Sequence, residues 1–209
     1  GVDWTPVDEA LDRLREALSP VVGSEDLPLD TAAGRVLAAD VTARRSNPPY
    51  ANAAVDGYGF AHAGLPEDGI HSLPLAEGRA AAGGPFHGAV PAGTAIRILT
   101  GAMLPQGVDT VVLEEDTARE GGTITFRAGL KRGANTRKAG EDVEAGALAL
   151  RAGTRLGPPE IALASALGVG SVLVRKRLRV GVLSTGDELV GAGETPEPHQ
   201  MFDANRPML

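Results

Sequence analysis

The sequence predicts a multi-domain, α+β to mainly β protein: an α+β domain interrupted by a β-barrel-like insertion, then the first strand of a truncated α/β domain. Three patterns predict it. Apolar residues recur at helical spacing near the amino terminus, and a second helix signal begins at residue 157. From residue 47 to residue 142, short extended segments alternate with glycine turns. Near the end, Leu178–Ser184 is an almost unbroken apolar run, as expected of a strand covered on both faces.

Taken in order, Thr5 is the expected helix cap and Pro6 the first helical residue, with Asp8 and Glu9 in the first turn. Val7, Leu11, Leu14 and Leu18 line one face, and Ser19-Pro20 and Gly23 stop the helix. Leu27–Leu29 is extended, and Asp30 or Thr31 caps a brief helix through Leu37. Strands are expected at Ser72–Leu75, Ala95–Leu99, Thr110–Leu113 and Thr123–Arg127, with Gly83-Gly84 and Gly121-Gly122 as turns. A strand at Gly146–Leu150, a helix from Gly157-Pro158 to Leu167 and a strand at Ser171–Val174 follow. Neither flank can bury a core alone, so residues 1–46 and 143–178 are expected to form one α+β domain around the insertion, 47–142. Residues 179–209 are expected to begin a further, incomplete α/β domain, ending in a loop at Gly191–His199 and a helix start at Asp203.

Composition narrows the function. The 209 residues suffice for one large or two modest domains, and 43% are hydrophobic but only 3% aromatic. Cores must therefore be built from Ala, Val and Leu. The net charge of −7 argues against nucleic acid as the main partner. Absence of cysteine excludes disulfides and thiolate metal sites. No apolar run reads as a signal peptide or membrane span, so a soluble cytoplasmic protein is expected. The histidines show no metal-ligand spacing and read as surface or loop residues.

Four stretches carry chemistry. In N-P-P-Y-A-N-A-A-V-D-G-Y-G-F, residues 47–60, two prolines stiffen a loop on which Asn52 can close an Asx turn and Asp56 stands beside glycine. The alternative is a domain-crossing turn whose aspartate caps a backbone group. In L-T-G-A-M-L-P-Q-G-V-D-T-V-V-L-E-E-D, residues 99–116, Thr100 follows a strand and could face an anion. A hairpin with a solvated acidic end is the alternative. In N-T-R-K-A-G-E-D, residues 135–142, Arg137 can fork onto phosphate or carboxylate, and Asp142 can hold a hard cation such as Mg²⁺. A surface ion-pair cluster is the plain alternative. Thr185–Glu188 puts a hydroxyl and two carboxylates at the end of the apolar run, where open α/β sheets bind ligands; otherwise it is an exposed loop.

In register, these stretches resemble the molybdopterin molybdenumtransferase family, which includes the E domain of gephyrin. N-A-A-V-D-G-Y-G is similar to the family's N-S-A-M-D-G-Y-A, and T-G-A-M-L-P-Q-G-V-D-T-V-V to T-G-A-x-x-P-x-G-A-D-x-V-V. R-K-A-G-E-D resembles R-x-x-G-E-D, and S-T-G-D-E-L followed by D-A-N-R resembles S-T-G-D-E-L…D-S-N-R. The resemblance implies an elongated homodimer that takes adenylylated molybdopterin and molybdate, releases AMP and inserts molybdenum with the help of Mg²⁺. It implies a site between subunits, joining the inserted β domain of one to the molybdopterin-binding α/β domain of the other. Asp56, Thr100, Asp142 and Glu188 would be its catalytic residues, with Arg137, Asn52 and Thr185 binding substrate and Asp142 and Glu188 holding the metal. A molybdopterin-adenylylating enzyme is the implied upstream partner.

Ala53 and Val55 stand where the family often has Ser and Met, which removes one hydroxyl and alters packing. The family's S-G-G-x-S motif, later acidic ligands and last β domain are absent from these residues, so the chain alone is expected not to turn over. A non-catalytic dimerisation or scaffold module of the same fold is the competing class; Asp56, Thr100, Asp142 and Glu188 favour the enzyme.

Overall fold

The computed structural model describes residues 4–209; the first three residues of the expected opening domain lie outside the described residues. The described chain forms two compact units. One is Glu25–Val174; the other combines the chain before Glu25 with Arg175–Leu209.

Helix α1 covers Val7–Ala17. Pro6, not Thr5, is its cap, and no side chain bonds its first N–H groups. An exposed Arg13–Glu9 pair at 2.6 Å supports it, worth about 0.3 kcal/mol. The apolar face is not covered: Val7, Leu11 and Leu14 are 73%, 42% and 52% exposed.

Strand β1, Ser24–Pro28, leads into a single 3-10 turn at Leu29–Thr31. The helix expected through Leu37 does not form. The N–H groups of Gly34 and Leu37 instead donate to Leu156 O and Thr154 O, at 2.7 and 2.9 Å. Pairing with the returning chain outweighs a weak helical preference here. Strand β2 is Val41–Thr42.

The β-rich region opens and closes at one point. Asn47 N–H donates to Val143 O at 2.8 Å, and Asp142 N–H to Asn47 O at 3.0 Å. Between them run β3 (Asn52–Ala53), β4 (Gly57–Phe60), β5 (Ile70–Ala80), β6 (Ala95–Ile98), β7 (Thr110–Leu113), β8 (Thr117–Glu120), β9 (Thr123–Arg127) and β10 (Thr136–Arg137). Strand β8 was not expected; its T-A-R-E sequence carries no apolar alternation. Six strands form one mixed sheet in the order β7-β4-β6-β5-β9-β8, with β5 and β6 parallel and the other pairs antiparallel. Laid flat, six strands would separate the edges by roughly 24 Å. Yet the edge strands β7 and β8 are joined only by Glu114–Asp116, a link that reaches about 14 Å at most. The sheet must curl. Phe60, Ile96, Ile98, Val111 and Ile124 lie buried within the region, and Phe60 meets Phe126 at 5.1 Å between ring centroids.

Strand β11, Leu148–Leu150, returns antiparallel to β2. Helix α2, Pro158–Ala166, begins with two prolines, and Gly157 N–H donates to the Glu160 carboxylate at 2.8 Å. Strand β12, Ser171–Arg175, pairs with β1. Leu29, Leu37 and Val41 share a core with Leu156, Ala164 and Val174. Leu37 and Leu156 are at most 1% exposed, each contributing about 2 kcal/mol of burial.

In the other unit, Lys176 N–H donates to Gly23 O at 2.9 Å. The apolar run Leu178–Ser184 is not a strand: among the described residues none pairs with it, and Leu178, Val180 and Leu183 are 59%, 71% and 87% exposed. A doubly covered strand needs neighbours on both sides. Beyond it, β13 (Leu189–Val190) runs parallel to β14 (Met201–Phe202), and α3 is Asn205–Met208. Among the described residues no helix is long and apolar enough to cross a membrane.

Candidate functional site

In the Glu25–Val174 unit, three of the four sequence stretches are laced together by the backbone. Arg137 of β10 is the register partner of Asn52 in β3. On its other side, Asn52 bridges Met103, and Ala53 exchanges hydrogen bonds with the 101–102 turn, accepting from Gly101 N–H at 2.8 Å and donating to Ala102 O at 3.0 Å. Ala54 N–H donates to Asn135 O at 2.9 Å. Loops far apart in sequence thus form one layer.

Asp56 stands just before β4. Its Oδ1 accepts both the backbone N–H and the hydroxyl of Thr100, each at 2.7 Å. The Thr100 backbone donor, then its hydroxyl, holds the carboxyl below its ordinary value; partial desolvation opposes them and the Arg97 cation adds to them. The group stays ionised, on a residue that is exposed. Sequence reasoning had Asp56 and Thr100 as separate candidates; the structure makes them one clamp.

Arg137 is turned to the chain's own carboxylates. Its Nη2 donates to Asp142 Oδ1 at 2.5 Å and its Nε to Glu141 Oε1 at 3.1 Å. The Glu141 bond contributes most to raising the guanidinium's affinity for its proton. Glu141 is itself held low, first by Lys138 N–H and then by Arg137. The ion-pair cluster expected as the plain alternative forms, from the same residues that are candidates for a site. Arg137 already has anions to oppose before any ligand arrives.

Sequence reasoning passed over Arg97. It lies in β6, flanked by buried Ile96 and Ile98. It donates to Gly57 O at 3.1 Å and to Glu114 at 2.5 Å, and lies 5.1 Å from the centre of the Tyr58 ring. A lone cation inside A-I-R-I-L was the available signal. Asp109 was passed over too: it accepts from His62 N–H at 2.8 Å, Thr110 at 2.9 Å and Arg132 at 2.7 Å. Burial pushes its carboxyl up, but these donors together bring it below the ordinary value. His71, expected on the surface, is buried in β5 against Phe126.

In the other unit, Thr185 and Glu188 are exposed. The Glu188 carboxylate folds back over Gly186. Asp203 accepts the N–H groups of Asn205 and Arg206, both at 3.1 Å. Its carboxyl is held low, first by the Ser184 hydroxyl and next by Arg206 N–H. Ser184, Asp203 and Arg206 line a cavity of about 450 Å³.

Among the described residues no group of three or more His, Asp or Glu side chains could hold a metal ion. Asp142 and Glu188 do not by themselves form a cation cage.

Residues 5–168 match the family described as the MoeA N-terminal region, domains I and II. A molybdopterin molybdenumtransferase of Haemophilus influenzae is 40% identical over 202 residues, covering 96% of this chain and 49% of that protein. A molybdopterin molybdenumtransferase 2 of Mycobacterium tuberculosis is 36% identical over 187 residues, covering 88% and 46%. A crystal structure of the molybdopterin biosynthesis moeA protein of Pyrococcus horikoshii superposes with a TM-score of 0.83 at 33% identity, over 99% of this chain and 55% of that one. The chain spans about half the length of these relatives. With the family match running from Thr5 to Gly168 and these relatives alongside, the chain belongs to the MoeA N-terminal region family.

Proposed function

We propose that the protein containing this chain inserts molybdenum from molybdate into adenylylated molybdopterin and releases AMP. The observation that carries this reading is the Asp56–Thr100 clamp: an exposed carboxylate kept ionised by two donors, on a loop tied through β3 to Arg137. The names of the relatives support the same reading. In it, Asp56 and Thr100 orient the substrate, and Asn52 and Thr185 supply further polar contacts. Asp142 and Glu188 are the proposed oxygen donors to Mg²⁺, which would neutralise phosphate charge when bound. Because this chain's described residues do not gather a full ligand set, further donors must come from elsewhere. The proposed assembly is an elongated cytoplasmic homodimer supplied by a molybdopterin-adenylylating enzyme. Its proposed domains are 1–46 with 143–178, the 47–142 insertion, and an α/β molybdopterin-binding domain beginning at 179.

The test uses the full protein. Asp142→Asn and Glu188→Gln keep shape and remove charge, and each should slow AMP release about tenfold or more, with thermal unfolding unchanged. AMP release at the wild-type rate in both variants, with unaltered Mg²⁺ dependence, would give these residues a structural role. A protein that releases no AMP at all would be a module of this fold without its chemistry.

A further inference from the structure

We infer that the groove between Arg79, Arg97 and Arg119 is a binding site for the phosphoanhydride of a nucleotide-type ligand, adjoining the Asp56 clamp. The groove encloses about 470 Å³ and draws its cations from three strands, β5, β6 and β8. In a chain of net charge −7, such convergence needs a reason. Arg79 and Arg97 are register partners on the parallel strands β5 and β6, so their side chains leave the same face side by side. Like charges so placed repel. Arg97 is compensated by Glu114 at 2.5 Å. Among the described residues no ion pair engages Arg79 or Arg119. Glu77 also lines the groove and offsets one charge, leaving two exposed guanidinium groups against one carboxylate.

The floor of the groove is irregular. The pairing of β5 with β6 shifts register between Leu75 and Arg79, and Gly78 takes φ +94°. Such a bulge re-aims side chains and frees backbone groups. Guanidinium forks match phosphate oxygens in pairs, and two such forks suit a phosphoanhydride better than a single carboxylate. Arg97 joins the groove to the clamp: it donates to Gly57 O, next to Asp56, and its charge acts on the Asp56 carboxyl. That the anion is the linkage between pterin and AMP rests on the function proposed above. That the groove binds phosphate groups does not.

The experiment is calorimetric titration of the full protein with inorganic pyrophosphate, at fixed ionic strength with a chelator present. Saturable binding is expected, weakened about tenfold or more in Arg79→Ala/Arg119→Ala and largely kept in Arg79→Lys/Arg119→Lys. Both arginines are exposed, so the thermal midpoint should not move; Arg79→Gln alone carries the test if the double variant does not fold. Absence of saturable binding, or equal binding in wild type and variant, overturns the site. Arginine-dependent pyrophosphate binding in a protein that releases no AMP keeps the groove and removes the functional reading. AMP release by a protein whose pyrophosphate binding ignores both arginines keeps the reading and removes the groove.

Discussion

Thr100 shows how little covalent change separates a positioned carboxylate from a merely exposed one. Removing its hydroxyl in Thr100→Val leaves the backbone donor and the fold of the turn in place. The Asp56 carboxyl should then titrate closer to its ordinary value of 3.8 while staying below it; carbon-13 titration of the side chain reads this directly. Because the folded value is depressed, the clamp contributes stability above the unfolded value, and the contribution is lost as pH falls through the folded value. Wild type and variant should thus differ in urea unfolding at neutral pH and converge below the folded value; a constant difference down to pH 2 would show that the hydroxyl acts otherwise. At this scale the sequence singled out Asp56, Thr100 and Asp142 as candidates, because each stands in an unusual local setting of proline, glycine or charge. It was silent on Arg97, whose neighbours read only as a strand. It also could not show that Arg137 faces Asp142, since that contact depends on how a turn closes.

Strand β4 is where packing and chemistry meet. Its four residues are all buried, and it sits between β6 and β7. A Cβ on Gly57 would stand 1.9 Å from Val112 O, a backbone atom that cannot swing aside. Gly57→Ala should therefore push β4 away from β7, cost about 2 kcal/mol or more, and loosen the Asp56–Thr100 bonds next to it. A lowered thermal midpoint together with faster amide exchange at Thr100 is expected; an unchanged midpoint would mean that the strands separate without cost. Strands β7 and β9 were legible to the residue because turns bound them and β-branched residues fill them. Leu178–Ser184 was not, because an apolar run announces a buried strand only when partners lie beside it. The helix expected after Thr31 failed for the complementary reason: Gly34 and Leu37 found backbone partners in the returning chain, which no local window contains.

At the scale of the whole molecule, the meeting of Asn47 with Val143 is the informative feature. The region between them holds its own buried clusters, and its ends already lie together. Expressed alone, residues 47–142 should fold with a single cooperative unfolding transition and keep the low Asp56 titration. A molten or unfolded fragment would mean that the flanking core is needed to shape it. The change of pattern at residue 47 was visible in the sequence. The order of the strands was not, since β7 beside β4 and β5 beside β6 are decided by the curl of the sheet and not by any neighbouring residues.

The turn at Ala134–Asn135 bears on how the protein behaves in a crowded solution. Strand β7 is an edge of the sheet, and T-V-V-L is the kind of segment onto which foreign strands add. Here its free side is occupied: Val111 N–H donates to Ala134 O at 3.0 Å, and the Asn135 side-chain amide donates to Val111 O at 2.9 Å. Asn135 reaches that position at φ +57°, alone among the described non-glycine residues in taking a positive value. Asn135→Ala loses the amide and disfavours the turn by about 1 kcal/mol, uncovering the edge. Dye-binding aggregates should appear at concentrations where the wild type stays clear. The turn that delivers Arg137 to Asp142 is thereby also a guard against self-assembly into fibres.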